Sequence, residues 1–430
     1  MNQRTSGTIQ IKKRAFPEWA MLCISAMPLL LSLFVELLGL PNGLRFLIDV
    51  LLVASVAIVL LRALYSGALG LSRETRSITI LVSAFFLYTL VLYLLHYESA
   101  WYYIWGVRNN FRFYVAFFLF IYFLTERDVN LLWKLMDVAF VFHIAASVIQ
   151  YFMDYEQDYI GGIFGVQKGC NGYAAIFISI VVMKSLLLFM DGKEAALPCF
   201  FKCGAALLSA SIAEIKIFFI FFIIIVVISA VTTSFSARKT LLILGIGFLF
   251  VAAYTLLTSL YEIFRGFLSF ESLLDQLFSE NYANEEDIGR FTAIPAICDR
   301  FLISFREQLF GMGLGNCEVS SIDLFNTDFA NKHIDVHYSV FSVAFMFLET
   351  GYVGLTLFTL FFVFVFVYSF LNYRQRRGNM LFNQMGIIMS VLCLILMFYN
   401  ASLRTEAGYM VYFVLALPYI GVLQSEREEQ

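Results

Sequence analysis

The sequence predicts an all-α polytopic membrane protein with about twelve transmembrane helices and one large, partly helical extracytoplasmic loop. Three observations carry that expectation. Hydrophobic residues make up 60% of the 430 and charged residues only 14%, against about a quarter charged in a soluble domain; the mean hydropathy is +0.80. Apolar runs of about 20 residues, the length a bilayer requires, recur along the chain. One polar interruption, residues 261–351, is far longer than the others. No long soluble segment is set apart, so residues 1–430 read as a single membrane domain with that loop inserted between spans 9 and 10.

Taken in order, the N-terminal basic residues Arg4, Lys12, Lys13 and Arg14 precede an apolar run from Trp19 to Leu40. That run is longer than a signal-peptide core and lacks a small-x-small cleavage site, so it reads as the first span. Further spans are expected at 44–65, 77–96, 111–125, 130–152, 171–190, 195–210, 213–232, 240–260, 352–371, 383–399 and 408–423. Two of these are weakly marked: 111–125 is short, and 195–232 divides in more than one way. Loop charges set the orientation, because Lys and Arg resist translocation. Arg62, Arg73, Arg76, Arg127, Lys193, Arg238, Lys239, Arg374, Arg376 and Arg377 all fall on one face if the N-terminus is cytoplasmic. The other face receives the acidic turn Asp154, Glu156 and Asp158 and the long loop. Both termini are then cytoplasmic and the loop lies outside.

Inside the loop, Phe264 to Leu277 is apolar at helical spacing, as in a helix lying at the membrane surface. Ser279 to Asp287 is an acidic turn. Ile294 to Phe305 reads as a helix with Pro295 in its first turn. The glycines of Gly311-Met312-Gly313-Leu314-Gly315 follow no strand and face away from the cytoplasm, so they predict tight turns and not a nucleotide site.

Several function classes drop out. No basic patch is interleaved with aromatics, so nucleic acid is not an expected partner. No Cys/His cluster has zinc-like spacing, and neither a metal nor a cofactor is expected. Cys199 and Cys203 read as membrane packing, while Cys298 and Cys317 share the loop and leave a disulfide open.

Ionisable residues do occur inside or at the rim of spans: Glu36, Asp49, Arg112, Asp137, His143, Glu214, Lys216 and Arg404. A charge at a helix centre costs about 2.5–3.5 kcal/mol, so each requires a partner or an aqueous cavity. Lys216, Glu214 and Arg404 fall at the outer face, and Arg108 and Arg112 share a face of a helix entering from outside. The pattern fits an anion site for a phosphate or pyrophosphate at headgroup depth. The plainer account is snorkelling cations paired with nearby carboxylates. His337, with Asp335 two residues before it, is a candidate general base for a sugar hydroxyl. His333 competes for that role, and His96 and His143 read as packing.

In combination these features resemble the O-antigen ligase and O-antigen polymerase superfamily of bacterial surface-polysaccharide enzymes. The carrying residues are Gly289-Arg290, Leu309 to Gly315, His337-Tyr338 and Glu349-Thr350-Gly351-Tyr352-Val353-Gly354 in the loop, with Gly162-Ile163-Phe164-Gly165 and Asn171 upstream. Lys216 stands where the family has Arg at the start of a mid-chain span, and Tyr338 stands where it has Asn, Ser or Gln. The resemblance implies a metal-independent GT-C-type glycosyltransferase of the inner membrane with an undecaprenyl-pyrophosphate-linked glycan as donor. His337 and Arg290 would be catalytic, and Lys216, Arg404, Asn171, Glu214 and Arg112 would bind pyrophosphate or glycan. It further implies a glycan acceptor, membrane lipids, and flippase and chain-length-regulator proteins as partners. Lys216 and the irregular loop favour a polymerase of lipid-linked repeat units. A ligase to lipid A core or protein, a flippase for lipid-linked oligosaccharide, and a non-catalytic assembly subunit are the alternatives.

Overall fold

The computed structural model describes residues 15–32, 34–35, 38–66, 72–167, 169–233, 237–260, 287–320 and 322–429. Among these the chain is helical and carries no strand. Twelve α-helices have seventeen residues or more: α1 Phe16–Ser32, α2 Leu47–Ser66, α3 Arg76–Leu95, α4 Ala100–Phe123, α5 Glu126–Phe152, α6 Cys170–Met190, α7 Ala196–Ile212, α8 Lys216–Thr232, α9 Ala237–Leu260, α13 Ser342–Gln375, α14 Met380–Tyr399 and α15 Gly408–Glu429. Between α9 and α13 lie the short α10 Ala293–Arg300, α11 Phe305–Phe310 and α12 Asp328–His333. Seven of the helices are long and apolar enough to cross a membrane, and four more are shorter apolar helices. The chain is a helical, multi-pass membrane protein.

Three boundaries differ from the sequence reading. The fourth helix starts at Ala100 and not near 111, because Ser99 accepts from the Trp101 N–H as its cap and the mixed polar segment that follows helicates with it. The Ile294 to Phe305 helix divides at Leu302, which is fully buried, and a capping box at Ser304 and Glu307 begins a separate α11. The span expected at 352–371 extends back to Ser342 and breaks at Gly351. The helix expected at Phe264 to Leu277 and the side chain of Glu36 lie outside the described residues.

Packing sorts the helices by depth. In α6 and α15, 83% of the apolar window is buried, against 17% in the second span, so these two lie inside the bundle and α2 lines its rim. The outward faces of α2, α3 and α5 carry exposed Val53, Leu64, Leu87, Leu94, Val141 and Phe142, the surface a bilayer covers. Several charges within helices find close partners, as the insertion cost demands. Arg108 pairs with Asp49 at 2.6 Å. Asp137 receives Lys184 at 2.6 Å and Lys202 at 3.1 Å. The short basic loops meet at one end of the bundle: Arg377 bonds Glu74 at 3.1 Å and also Glu426, and Asn379 reaches Glu126 at 2.9 Å.

The loop folds on a core of its own, built from Ile288, Ala293, Ile297, Leu302, Cys317, Tyr338 and Phe341 against the first turns of α13. Its attachment explains the glycines. Gly351, at φ 62°, breaks α13, which frees carbonyls that a continuous helix would use. The loop supplies the missing donors: Met312 N–H to Leu348 O at 3.0 Å and Gly313 N–H to Glu349 O at 2.8 Å. Buried Glu349 accepts the N–H of Gly315 at 3.0 Å and of Cys317 at 3.1 Å. The Tyr88 hydroxyl donates to Thr350 O at 2.7 Å. Tyr88→Phe is therefore expected to destabilise the protein by about 1–2 kcal/mol, read as a lower unfolding midpoint in detergent, because it strands a carbonyl at the break.

Candidate functional site

The site grows from the backbone pairing of two loop strips. Ile288 N–H donates to Val336 O at 3.1 Å, which lays Gly289-Arg290 beside the turn that carries His337. His337 itself is left-handed, at φ 58° and ψ 22°. Its Nδ1 lies 2.8 Å from Asp287 Oδ1. The Asp287 carboxylate is 1% exposed and the imidazole 28% exposed, so the pair has a buried end and an open end. The partner expected from sequence was Asp335; that residue is exposed, and the hydrogen bond goes to Asp287, fifty residues away in sequence. With Nδ1–H donating to a carboxylate, the ring tautomer carries its lone pair on Nε2. Tyr338 is fully buried and donates to Cys317 O at 2.7 Å; this anchors the turn and accounts for a large residue directly after the histidine.

Arg290 lies with its guanidinium 4.7 Å from the Tyr399 ring and 5.9 Å from the Phe341 ring. Phe291 stacks on Phe398 at 5.3 Å. Aromatic faces thus flank the guanidinium. The Lys216 ammonium is close enough to be repelled by Arg290 and attracted by Glu214 and Asp158. Glu214 sits in the turn between α7 and α8 at φ 49°, and burial pushes its carboxyl up while Lys216 draws it back. Among the described residues only four non-glycines have positive φ, and two of them are Glu214 and His337; such strain concentrates at functional positions. Asn171 donates to Asp158 at 3.4 Å. Next to it, a Cβ on Gly172 would meet Ser402 Oγ at 2.6 Å and Asn400 Nδ2 at 2.9 Å. Asn400 O accepts from both the N–H and the hydroxyl of Ser342, so the 400–407 turn joins α6 to the start of α13.

Five sequence-predicted residues are thus linked through these contacts: His337 and Arg290 by the paired strips, Lys216 and Glu214 by their electrostatic coupling with each other and with Arg290 and Asp158, and Asn171 through Asp158. The other two are engaged at the 400–407 turn itself. Arg404 donates to Glu318 at 2.8 Å and to Asn110 at 3.0 Å, and lies 3.4 Å over the Phe345 ring. Arg112 reaches Glu406 at 3.6 Å and Arg404 O at 3.4 Å. Burial pushes the Glu406 carboxyl up, but Arg112 and the Tyr173 hydroxyl, 2.8 Å away, outweigh it and hold it below the usual carboxylate range. His333 packs between Phe301 and Phe329. His143 is buried beside Ser209 and Gly162. Cys298 and Cys317 are both free thiols.

Sequence reading missed Asp287, Tyr399 and Glu318. Asp287 stands two residues before Gly289-Arg290, so its nearness to that motif was a usable signal. Tyr399 and Glu318 carried none. Comparison of the chain with protein-family models and with curated proteins finds no match.

Proposed function

We propose that this chain is a membrane glycosyltransferase of the O-antigen polymerase type, joining undecaprenyl-pyrophosphate-linked oligosaccharide repeat units at the outer face of the bacterial inner membrane. In this reading all twelve long helices are spans, both termini are cytoplasmic and the loop of residues 261–351 faces outward. The observation that carries it is the His337–Asp287 pair held beside Arg290. His337 Nε2 takes the proton from an acceptor hydroxyl. The hydroxyl oxygen forms a bond to the anomeric carbon of the donor with inversion, and the bond from that carbon to the diphosphate oxygen breaks. The electron pair leaves on the diphosphate, where Arg290 and Lys216 stabilise the developing charge. Asp287 stabilises the imidazolium and fixes the tautomer. Glu214 and Asp158 position Lys216, with Asn171 holding Asp158.

Arg290→Ala, made at normal expression, tests this with lipid-linked glycans resolved by chain length. Single repeats are expected to persist and long chains to fall about 10²-fold. Chains of ordinary length overturn the assignment of Arg290. Long chains that form on the carrier lipid yet never reach a core acceptor identify a ligase instead, and repeats trapped on the inner leaflet a flippase.

A further inference from the structure

Against the 400–407 turn, Arg112 is not a finished ion pair. Its side chain is 7% exposed, its contact to Glu406 is 3.6 Å and that to the Arg404 carbonyl 3.4 Å. A well-engaged guanidinium makes contacts of about 2.7–2.9 Å. The Nε of Arg112 is buried without a hydrogen-bond partner. Two other donors beside it share that condition, Arg45 Nε and the Tyr409 hydroxyl. Arg112 lies 5.6 Å from the Tyr409 ring, and Arg45 acts electrostatically on Glu406 and Tyr173. Arg45, Arg108, Arg112 and Arg404 face Asp49, Glu406 and Glu318, one positive charge in excess. Buried donors left unmade are expensive, and a doubly charged oxyanion answers all three.

The side chains around Arg108, one helical turn before Arg112, are aromatic. Arg108 lies 4.8 Å over Trp105 and 5.2 Å over Phe46. Trp105 stacks on Phe325 at 4.3 Å, and Trp101, 53% exposed, stands at the edge of that ring. Flat apolar faces beside a cationic floor suit a sugar joined to a phosphate.

We propose that this cluster is a second oxyanion site, and that it takes the diphosphate of the acceptor, so that donor and acceptor diphosphates are held by separate sets of cations; this rests on the polymerase reading above. The chemistry of the joining step supports the division. The donor's diphosphate is attached to the reacting carbon and so belongs with Arg290, beside the base. The acceptor's hydroxyl is a full repeat unit from its own diphosphate, which must therefore lie away from His337. Arg112 meets the 400–407 turn at Glu406 and Arg404, whereas His337 and Arg290 belong to the paired strips around Ile288 and Val336.

The test uses the full-length protein in phosphatidylcholine nanodiscs with farnesyl diphosphate as probe, counting bound equivalents by native mass spectrometry and titration. Wild type is expected to bind two. Arg290→Gln removes one and Arg112→Gln the other. Tyr409→Phe deletes only a hydroxyl without a protein partner; it should leave the unfolding midpoint unchanged and weaken the second equivalent about threefold to tenfold. A single equivalent in wild type, abolished by Arg290→Gln and indifferent to Tyr409→Phe, overturns the second site and leaves the catalytic reading standing. No binding at all overturns both. If phosphatidylglycerol in the nanodisc displaces the second equivalent, a lipid headgroup is the occupant and the acceptor assignment fails.

Discussion

His337→Ala is expected to lower the turnover of purified, lipid-reconstituted protein by about 10²–10⁴-fold, with donor binding changed by no more than a few-fold. The imidazole meets the acceptor proton only as the oxygen attacks, so its loss belongs to kcat and not to KM. Asp287→Asn tests the same idea from the buried end. An amide retains the shape of the carboxylate but can present its N–H to Nδ1, which favours the tautomer that lacks a lone pair on Nε2. Its turnover should therefore fall even though the 2.8 Å contact is sterically preserved. Asp335→Asn supplies the contrast: Asp335 is close in sequence but exposed, and its variant should turn over normally. His333→Ala likewise should retain activity, since His333 serves the aromatic packing of Phe301 and Phe329. Initial rates of release of the lipid diphosphate, undecaprenyl diphosphate, read all four. A normal rate for His337→Ala removes the general base from the scheme, and a loss in His333→Ala equal to that in His337→Ala would assign both to folding.

The helices were legible because their signal is local. A run such as Ile217 to Val231 is apolar on every face, and no tertiary contact is required to recognise it. The pairing of the two strips that carry Arg290 and His337 was not legible, since nothing in the spacing of residues 290 and 337 says that Ile288 pairs with Val336. Asp287 escaped because adjacency in sequence pointed to Asp335, and a hydrogen bond between residues fifty apart leaves no periodic trace. The depth of Arg112 was the hardest feature to read. A four-residue spacing places Arg108 and Arg112 on one face of α4. It does not say that Arg108 would find Asp49 at 2.6 Å while Arg112 would find Glu406 only at 3.6 Å. The break at Gly351 was hidden for a related reason: a single glycine in an apolar run is compatible with a continuous helix, and only the carbonyls taken up by Met312, Gly313 and Tyr88 make the break stable.

Gly315→Ala carries the largest structural consequence. Gly315 has φ 91°, and a Cβ there would stand 2.0 Å from the Tyr102 carbonyl oxygen and 3.1 Å from the Tyr103 nitrogen. On the opposing helix, a Cβ on Gly106 would stand 2.7 Å from Gly315 Cα. Two glycines thus meet back to back, and the atoms in the way are backbone, which cannot swing aside. The loop would have to lift from α4, and Glu349 would lose the Gly315 and Cys317 N–H donors that satisfy its buried carboxyl group. The expected cost exceeds about 4 kcal/mol, which should lower the melting temperature in detergent by about 10 °C. Gly169→Ala separates sterics from backbone conformation. Its φ is 90°, nearly the same, but nothing lies within 4 Å of the added Cβ, so only the conformational penalty of about 1 kcal/mol applies. If the two variants melt together, the loop is not clamped between α4 and the break in α13. Tyr338 anchors the histidine's own turn on Cys317, two residues past Gly315, so the glycine turn is expected to hold His337 in place, and equal melting would remove that link.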